Sequence, residues 1–167
     1  MQLCLFRHGD AGDRAEFAKT GQPDDLRPLS EDGREEVMLA AQGLHELLGS
    51  CDLLATSPLT RARQTAEIIA GVFSCGQVDV TSVLVPGHTY EEFVVWAKSH
   101  ASSGAIICVG HEPHLGELAS WLTDESDVEL KKGGACLIEF EGGVAPDAGR
   151  LVWNKGPKKL AKELKTG

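Results

Sequence analysis

Three short motifs in this sequence contain arginine, histidine or both, side chains well suited to hold a phosphate group. They are Arg7-His8-Gly9, Ser57-Pro58-Leu59-Thr60-Arg61 and Gly110-His111-Glu112-Pro113. The guanidinium fork of arginine matches phosphate oxygens, and each charge-assisted hydrogen bond contributes roughly 1.5–3 kcal/mol. Since a handful of such bonds can hold a tetrahedral dianion without a metal ion, the motifs predict an anion site built from arginine and histidine.

Each motif follows an apolar run that is typical of a buried strand. The runs cover residues 3–6, 53–55 and 106–109. Ligands of open α/β sheets bind beyond the carboxyl ends of the strands. If these strands are parallel neighbours, His8, Arg61 and His111 meet at one edge of the sheet. Arg61 also falls in the first turn of a predicted helix, where unpaired N–H groups and the helix dipole favour an anion.

Predicted strands alternate with predicted helices along the chain. Helices are expected to begin at Ser30, at Ser57-Pro58, at the capping box Thr89-x-x-Glu92 and at Glu112-Pro113. Further strands are expected at residues 78–85, 135–140 and 151–153, and a long loop at 10–29. This alternation predicts a three-layer α/β/α sandwich with a mostly parallel mixed sheet, in one domain over residues 1–167.

The charge of the chain limits its partners. Sixteen Lys and Arg stand against 25 Asp and Glu, which gives a net charge of −9. This acidity argues against nucleic acid as a partner, because the phosphate backbone would repel the chain. Lysines are concentrated in residues 155–167, where Leu160 and Leu164 lie one turn apart. That segment predicts a solvated cationic helix, and docking of an acidic protein is the alternative interpretation.

Cysteine usage and hydropathy indicate the compartment. The five cysteines are scattered and include no Cys-x-x-Cys pair, which excludes a zinc ribbon or a disulfide framework. Cys4, Cys108 and Cys136 lie in apolar runs and are predicted to be buried free thiols in a reducing compartment. No apolar run approaches the roughly 18 residues of a membrane span, and Arg7 interrupts the first run too early for a signal peptide. We expect a cytoplasmic protein with no membrane partner.

The order of the three motifs resembles the histidine phosphatase superfamily, whose members share the phosphoglycerate-mutase-like fold. Arg7-His8-Gly9 opens the signature, Ser57-Pro58-x-x-Arg61-x-x-x-Thr65-Ala66 continues it, and Gly110-His111 closes it. The short length and the segment Arg27-Pro28-Leu29-Ser30 are similar to the short phosphohistidine phosphatase branch of that superfamily. This resemblance implies removal of phosphate from phosphohistidine in proteins.

The resemblance also implies roles for individual residues. His8 attacks phosphorus and forms a phosphohistidine intermediate that water hydrolyses, without metal or cofactor. The loop that carries Arg27 is expected to fold over the pocket as a lid. Arg7, Arg61 and His111 are implied to hold the equatorial oxygens, and Gly9, Arg27 and Glu112 are implied to bind phosphate or substrate.

An acid for the leaving group is not evident. Many larger members of the superfamily use a carboxylate between the second and third motifs, a segment that here includes residues 84–92. Glu91 and Glu92 fall in the first turn of a predicted helix and are expected to stabilise it. His88 is left as the possible donor. Because a phosphorylated imidazole leaves more readily than an alkoxide, a site without a fixed carboxylic acid suits phosphohistidine.

Three other interpretations stay open from the sequence. A broad phosphomonoesterase acting on a small phosphorylated metabolite would use the same residues. A non-catalytic phosphoprotein-binding module would need only the arginines, and the presence of His8 argues against it. A metal phosphoesterase would use Asp10, Asp13 and His114 with His8 and His111, although solvated loop positions explain those aspartates more simply.

Overall fold

A six-stranded sheet forms the centre of the computed structural model, which describes residues 1–76 and 78–165. The strands are β1 (Gln2–Arg7), β2 (Leu53–Thr56), β3 (Val78–Val80), β4 (Ala105–Gly110), β5 (Ala135–Glu139) and β6 (Arg150–Lys155). Their order in the sheet is β3-β2-β4-β1-β5-β6. The first four strands are parallel, and β5 pairs antiparallel with both β1 and β6. The prediction of a mostly parallel mixed sheet is confirmed.

Helices cover both faces of this sheet. They are α1 (Arg14–Ala18), α2 (Glu31–Leu48), α3 (Thr60–Phe73), α4 (Tyr90–Ser99), α5 (His114–Thr123) and α6 (Pro157–Lys162). Successive side chains of a strand point to opposite faces. On β1, Leu3 and Leu5 pack with α4 and α5, whereas Cys4 and Phe6 pack with α2, α3 and α6. The predicted three-layer arrangement is confirmed. Within residues 1–76 and 78–165, no helix has the length and apolarity that crossing a membrane requires.

The strands that precede the three motifs are neighbours in the middle of the sheet. β4 lies between β1 and β2, and the three strands are parallel. In register, Arg7 lies opposite Gly110, and Thr56 lies opposite Val109. Because these strands end at nearly the same level, the chain leaves the sheet at residues 8, 57 and 111 along one edge, as the sequence predicted.

Three predicted elements differ from those observed. The strand predicted at 78–85 ends at Val80, because Leu84 turns into the core within a 3₁₀ turn over Ser82–Leu84. The loop predicted at 10–29 contains α1 and a second 3₁₀ turn over Asp24–Leu26. The helix predicted to begin at Ser57-Pro58 begins at Thr60, because the Ser57 hydroxyl bonds to a histidine instead of capping the helix.

The lysine-rich C-terminal helix is packed on one side. Leu160 of α6 is fully buried in the same core as the inner face of α2. A β-carbon on Gly43 of α2 would overlap the Leu160 carbonyl oxygen, so the two backbones are in contact. The prediction of a solvated helix was therefore wrong for this face. The lysines Lys158, Lys159 and Lys162 are exposed, and Lys155 forms an ion pair with Glu163.

Candidate active site

His8 is buried and its ring is oriented by the backbone. The residue is 7% exposed, and its Nδ1–H donates to the Gly9 carbonyl oxygen at 2.7 Å. This bond places the ring proton on Nδ1 and leaves the Nε2 lone pair for nucleophilic attack. The pKa of His8 is lowered to about 4, chiefly by burial and also by the charges of Arg61, Arg7 and Arg27, while the Gly9 bond acts in the opposite direction. His8 is therefore a neutral imidazole near pH 7.

The protonation of His8 is directly measurable by NMR. Because its pKa is about 4 against an ordinary value of 6.5, we expect its ring Cε1–H resonance to show no titration between pH 5.5 and 8. Since the unfolded chain binds this proton and the folded chain does not, folding stability falls as the pH is lowered from 6.5 toward 4. His8→Ala assigns the resonance, and a midpoint near 6.5 would contradict the burial and charge effects described for this ring.

Three buried donors around His8 have no hydrogen-bond partner in the described residues. They are Arg7 Nε, Arg61 Nε and His111 Nδ1. The ring of His111 lies 5.0 Å from that of His8, measured between centroids. Burial of an unpaired polar group costs about 1–3 kcal/mol. Each of the three motifs therefore contributes one orphaned donor, and the charges of Arg7 and Arg61 act on both His8 and His111. A site for a tetrahedral anion requires such donors.

Arg7 and Arg61 are each held by a backbone carbonyl. Arg7 Nη1 donates to the Leu130 oxygen at 2.8 Å, and Arg61 Nη1 donates to the Asp24 oxygen at 3.0 Å. Burial lowers the pKa of Arg61, although an arginine remains charged at any pH in use. Each guanidinium is thus fixed at one Nη and keeps its Nε for a ligand.

Gly9 is a support for His8 in this structure. Its N–H donates to Thr65 Oγ1 at 3.1 Å, and Thr65 Oγ1 donates to the Arg61 carbonyl oxygen at 2.8 Å. A contact of Gly9 with phosphate or substrate stays a prediction. A β-carbon on Gly9 would lie 2.5 Å from Val37 Cγ2. Since no side chain fits there, glycine allows the first motif to pack against α2 while its carbonyl orients His8.

Arg27 lies in the loop that contacts Arg61 through Asp24. Its Nη1 donates to the Ala11 carbonyl oxygen at 3.1 Å, and its Nε bonds to Asp24 Oδ1 at 2.8 Å. Asp24 Oδ2 lies 3.4 Å from Arg61 Nη2, so one carboxylate joins both guanidinium groups. Sequence reasoning missed Asp24, because only its spacing of three residues from Arg27 hinted at an ion pair. The loop therefore contacts Arg61 of the candidate site, and its closure over the pocket as a lid stays a prediction.

Glu112 supports the segment that holds Arg7. Its Oε1 accepts from the Leu130 N–H at 3.1 Å, and the Leu130 carbonyl accepts from Arg7. Burial raises the pKa of Glu112, an effect that the Leu130 N–H and the charge of Arg7 partly oppose. The structure shows this carboxylate turned toward the backbone of residue 130, because that N–H needs an acceptor. A contact of Glu112 with substrate stays a prediction.

The other candidate residues are engaged elsewhere. His88 Nδ1 lies 3.1 Å from Glu92 Oε2 at the exposed start of α4, and no described contact joins it to His8. The residues proposed as metal ligands also have other partners: Asp10 pairs with Lys132, Asp13 caps α1, and His114 Nε2 lies 3.2 Å from the Val83 oxygen. Within residues 1–76 and 78–165, no three His, Cys, Asp or Glu side chains are grouped to hold a metal ion.

Several known proteins are similar to this chain in sequence or in fold. The family model described as histidine phosphatase superfamily (branch 1) matches residues 3–84. An uncharacterized protein of Picosynechococcus sp. is 37% identical over 150 residues, which cover 87% of each chain. The phosphohistidine phosphatase SixA of Escherichia coli is 27% identical over 135 residues, covering 73% of this chain and 74% of that protein. The structure of the protein histidine phosphatase SixA complexed with tungstate has a TM-score of 0.81 at 22% identity, covering 96% of this chain and 99% of that one.

The chain belongs to the histidine phosphatase superfamily, and it shares the fold and the short length of the SixA proteins. It is a phosphatase of that superfamily. The resemblance drawn from the three motifs is thus confirmed. The roles of individual residues follow from the geometry described above and are proposals about this enzyme.

Proposed function

We propose that this enzyme removes phosphate from phosphohistidine side chains of proteins, without a metal ion, through a covalent intermediate on His8. The observation that carries the proposal is the neutral, oriented His8 next to the orphaned donors of Arg7, Arg61 and His111. The SixA structure is a complex with tungstate, a tetrahedral dianion of the kind that these donors would bind. The similarity to phosphohistidine phosphatases supports the same substrate class.

The reaction would proceed in two displacements at phosphorus. In the first, His8 Nε2 forms a bond to phosphorus while the bond from phosphorus to the substrate imidazole nitrogen breaks. That nitrogen keeps the electron pair and takes a proton from solvent. In the second, water attacks phosphorus, loses a proton to solvent, and the bond to His8 breaks to release phosphate. Arg7, Arg61 and His111 would stabilise the charge on the equatorial oxygens in both steps.

Two carboxylates that could have served as the acid, Asp24 and Glu92, are held ionised, which favours an imidazole as the leaving group. Asp24 is bridged to Arg27 and Arg61, which hold it ionised and unable to donate a proton. Glu92 closes the capping box of α4, where the Thr89 N–H and His88 lower its pKa. An alkoxide needs a proton as it leaves, whereas a departing imidazole can take one from water. With these two carboxylates ionised and Glu112 Oε1 turned toward the Leu130 N–H, the site suits the P–N bond of phosphohistidine.

Initial rates on two classes of substrate test this proposal. The substrates are a phosphohistidine-bearing protein domain and a panel of alkyl and sugar phosphates, each assayed with and without a metal chelator. We expect faster turnover of phosphohistidine by the wild-type enzyme and no turnover by His8→Ala. Faster turnover of a monoester would move the function to metabolite hydrolysis. Loss of activity with the chelator would contradict metal independence, and binding without any turnover would indicate a phosphoprotein-binding module.

A further inference from the structure

Ser57 and His111 form a short, fully buried hydrogen bond across the edge of the sheet. Ser57 follows β2 and His111 follows β4, and Ser57 Oγ lies 2.6 Å from His111 Nε2. Ser57 is 0% exposed and His111 is 3% exposed. The helix-capping role predicted for this serine is absent, since α3 begins three residues later at Thr60. The bond joins two motifs that are 54 residues apart.

The direction of this bond follows from the other contacts of the serine hydroxyl. Ser57 Oγ accepts from the Leu59 N–H at 3.3 Å. If Oγ also accepted from His111, it would receive two N–H groups and its own proton would have no acceptor among the described residues. If Ser57 instead donates to His111 Nε2, the hydroxyl both donates and accepts. Only the second arrangement pairs both the proton and a lone pair of the hydroxyl, so Ser57 is the donor.

This direction determines where His111 keeps its ring proton. Burial lowers the pKa of His111 to about 3, with the charges of His8 and Arg61 acting in the same direction, so the ring is neutral near pH 7. A neutral imidazole whose Nε2 accepts a bond carries its proton on Nδ1. His111 Nδ1 is the orphaned atom of this ring within the described residues. The opposite tautomer would present a lone pair, which repels the oxygens of an anion.

We propose that Ser57 is a positioning residue that holds His111 as the Nδ1–H tautomer, so that His111 donates a hydrogen bond to a phosphoryl oxygen. This inference rests on the proposed function, since it assigns His111 to the phosphoryl group. It gives the Ser57-to-Arg61 motif two separate tasks. Arg61 presents its own guanidinium to the phosphate, and Ser57 prepares the histidine of the neighbouring strand.

The first test removes the Ser57 hydroxyl and measures activity. We expect Ser57→Ala to lower kcat by about 10- to 100-fold, the range seen when a group that orients a functional histidine is removed, with a smaller change in KM. Ser57→Thr keeps the hydroxyl and is expected to recover most of that loss. Thr56→Val is the matched control, since Thr56 Oγ1 is an adjacent buried hydroxyl that bonds to the Ser57 carbonyl and not to His111. Equal losses in Ser57→Ala and Thr56→Val would overturn the proposal.

The second test is independent of activity. The ¹⁵N chemical shifts of the His111 ring in the substrate-free wild-type enzyme report which nitrogen carries the proton. We expect a protonated Nδ1 in the wild-type enzyme and in Ser57→Thr, and a mixture of tautomers in Ser57→Ala. A protonated Nε2 in the wild-type enzyme would overturn the role of Ser57 whatever the substrate is. Failure of the phosphohistidine assay would leave this measurement unchanged, so the two proposals can fail separately.

Discussion

We expect His8→Ala to lower turnover by at least about 10⁴-fold while it keeps its affinity for tungstate within about tenfold. The loss is large because the proposed reaction begins with a bond from His8 Nε2 to phosphorus. His111, the other neutral imidazole of the site, has its Nε2 lone pair engaged by Ser57. Anion affinity is kept because the orphaned donors of Arg7, Arg61 and His111 remain. Steady-state rates and tungstate titration of the variant provide the two measurements.

A matched histidine variant controls for nonspecific effects on folding. His45 of α2 packs edge-on against Phe73, with ring centroids 4.9 Å apart, on the helix layer rather than at the strand ends. His45→Ala is therefore expected to turn over substrate at nearly the wild-type rate. If His8→Ala retained a tenth or more of wild-type turnover, His8 could not be the nucleophile.

The second large effect is predicted for Arg61. We expect Arg61→Ala to lower kcat by about 10²–10³-fold, comparable to the loss of one donor that stabilises developing charge in other enzymes. The side chain is held by the Asp24 carbonyl and keeps a buried, unpaired Nε, so it is preorganised for the phosphoryl group. Arg61→Lys keeps a charge but loses the planar fork, and it is expected to recover only part of the activity. The kcat values of the two variants provide the measurement.

Arg63 offers a control two residues further along the same helix. It is exposed on α3, outside the buried face that carries Arg61. Arg63→Ala removes the same charge from nearly the same place in the chain and is expected to leave kcat within about twofold, as surface substitutions usually do. If both alanine variants lost activity equally, the effect would come from the overall charge of α3 and not from a contact of Arg61 with phosphate.

The sequence predicted those parts of the site that depend on residues close to one another in the chain. Apolar runs identified the three central strands, and the residue types at their ends identified His8, Arg61 and His111. Two helix caps were also predictable, because a cap is a contact between residues three apart. Ser30 Oγ accepts from the Gly33 N–H at 3.0 Å, and the predicted capping box at Thr89 is present.

The parts that the sequence did not predict depend on contacts between distant segments. Leu130 holds Arg7 through a carbonyl group, which every residue possesses and no residue type signals. Glu112 has the chemistry of a substrate ligand, yet its direction is decided by a backbone N–H 18 residues away. Ser57 has the sequence context of a helix cap, and only the adjacency of β2 and β4 shows that a histidine takes its hydroxyl instead.

The same distinction explains the error at the C-terminal helix. Its lysines give a sequence pattern typical of a solvated helix, and they are indeed exposed. The pattern carries no information about Gly43, whose missing side chain lets the backbone of α6 approach α2 and bury Leu160. A glycine in a helix does not by itself show which other segment packs closely against it.

Rapid-quench isolation of the enzyme during a single turnover tests the central mechanism most directly. The enzyme is mixed with a phosphorylated substrate labelled on phosphorus, quenched in base, in which phosphohistidine is stable, and digested for peptide mapping. We predict one phosphoryl group on the peptide that contains His8, present early, lost as phosphate is released, and absent from His8→Ala. Turnover with no label on the protein, or with the label on a peptide that lacks His8, would contradict a reaction through this histidine.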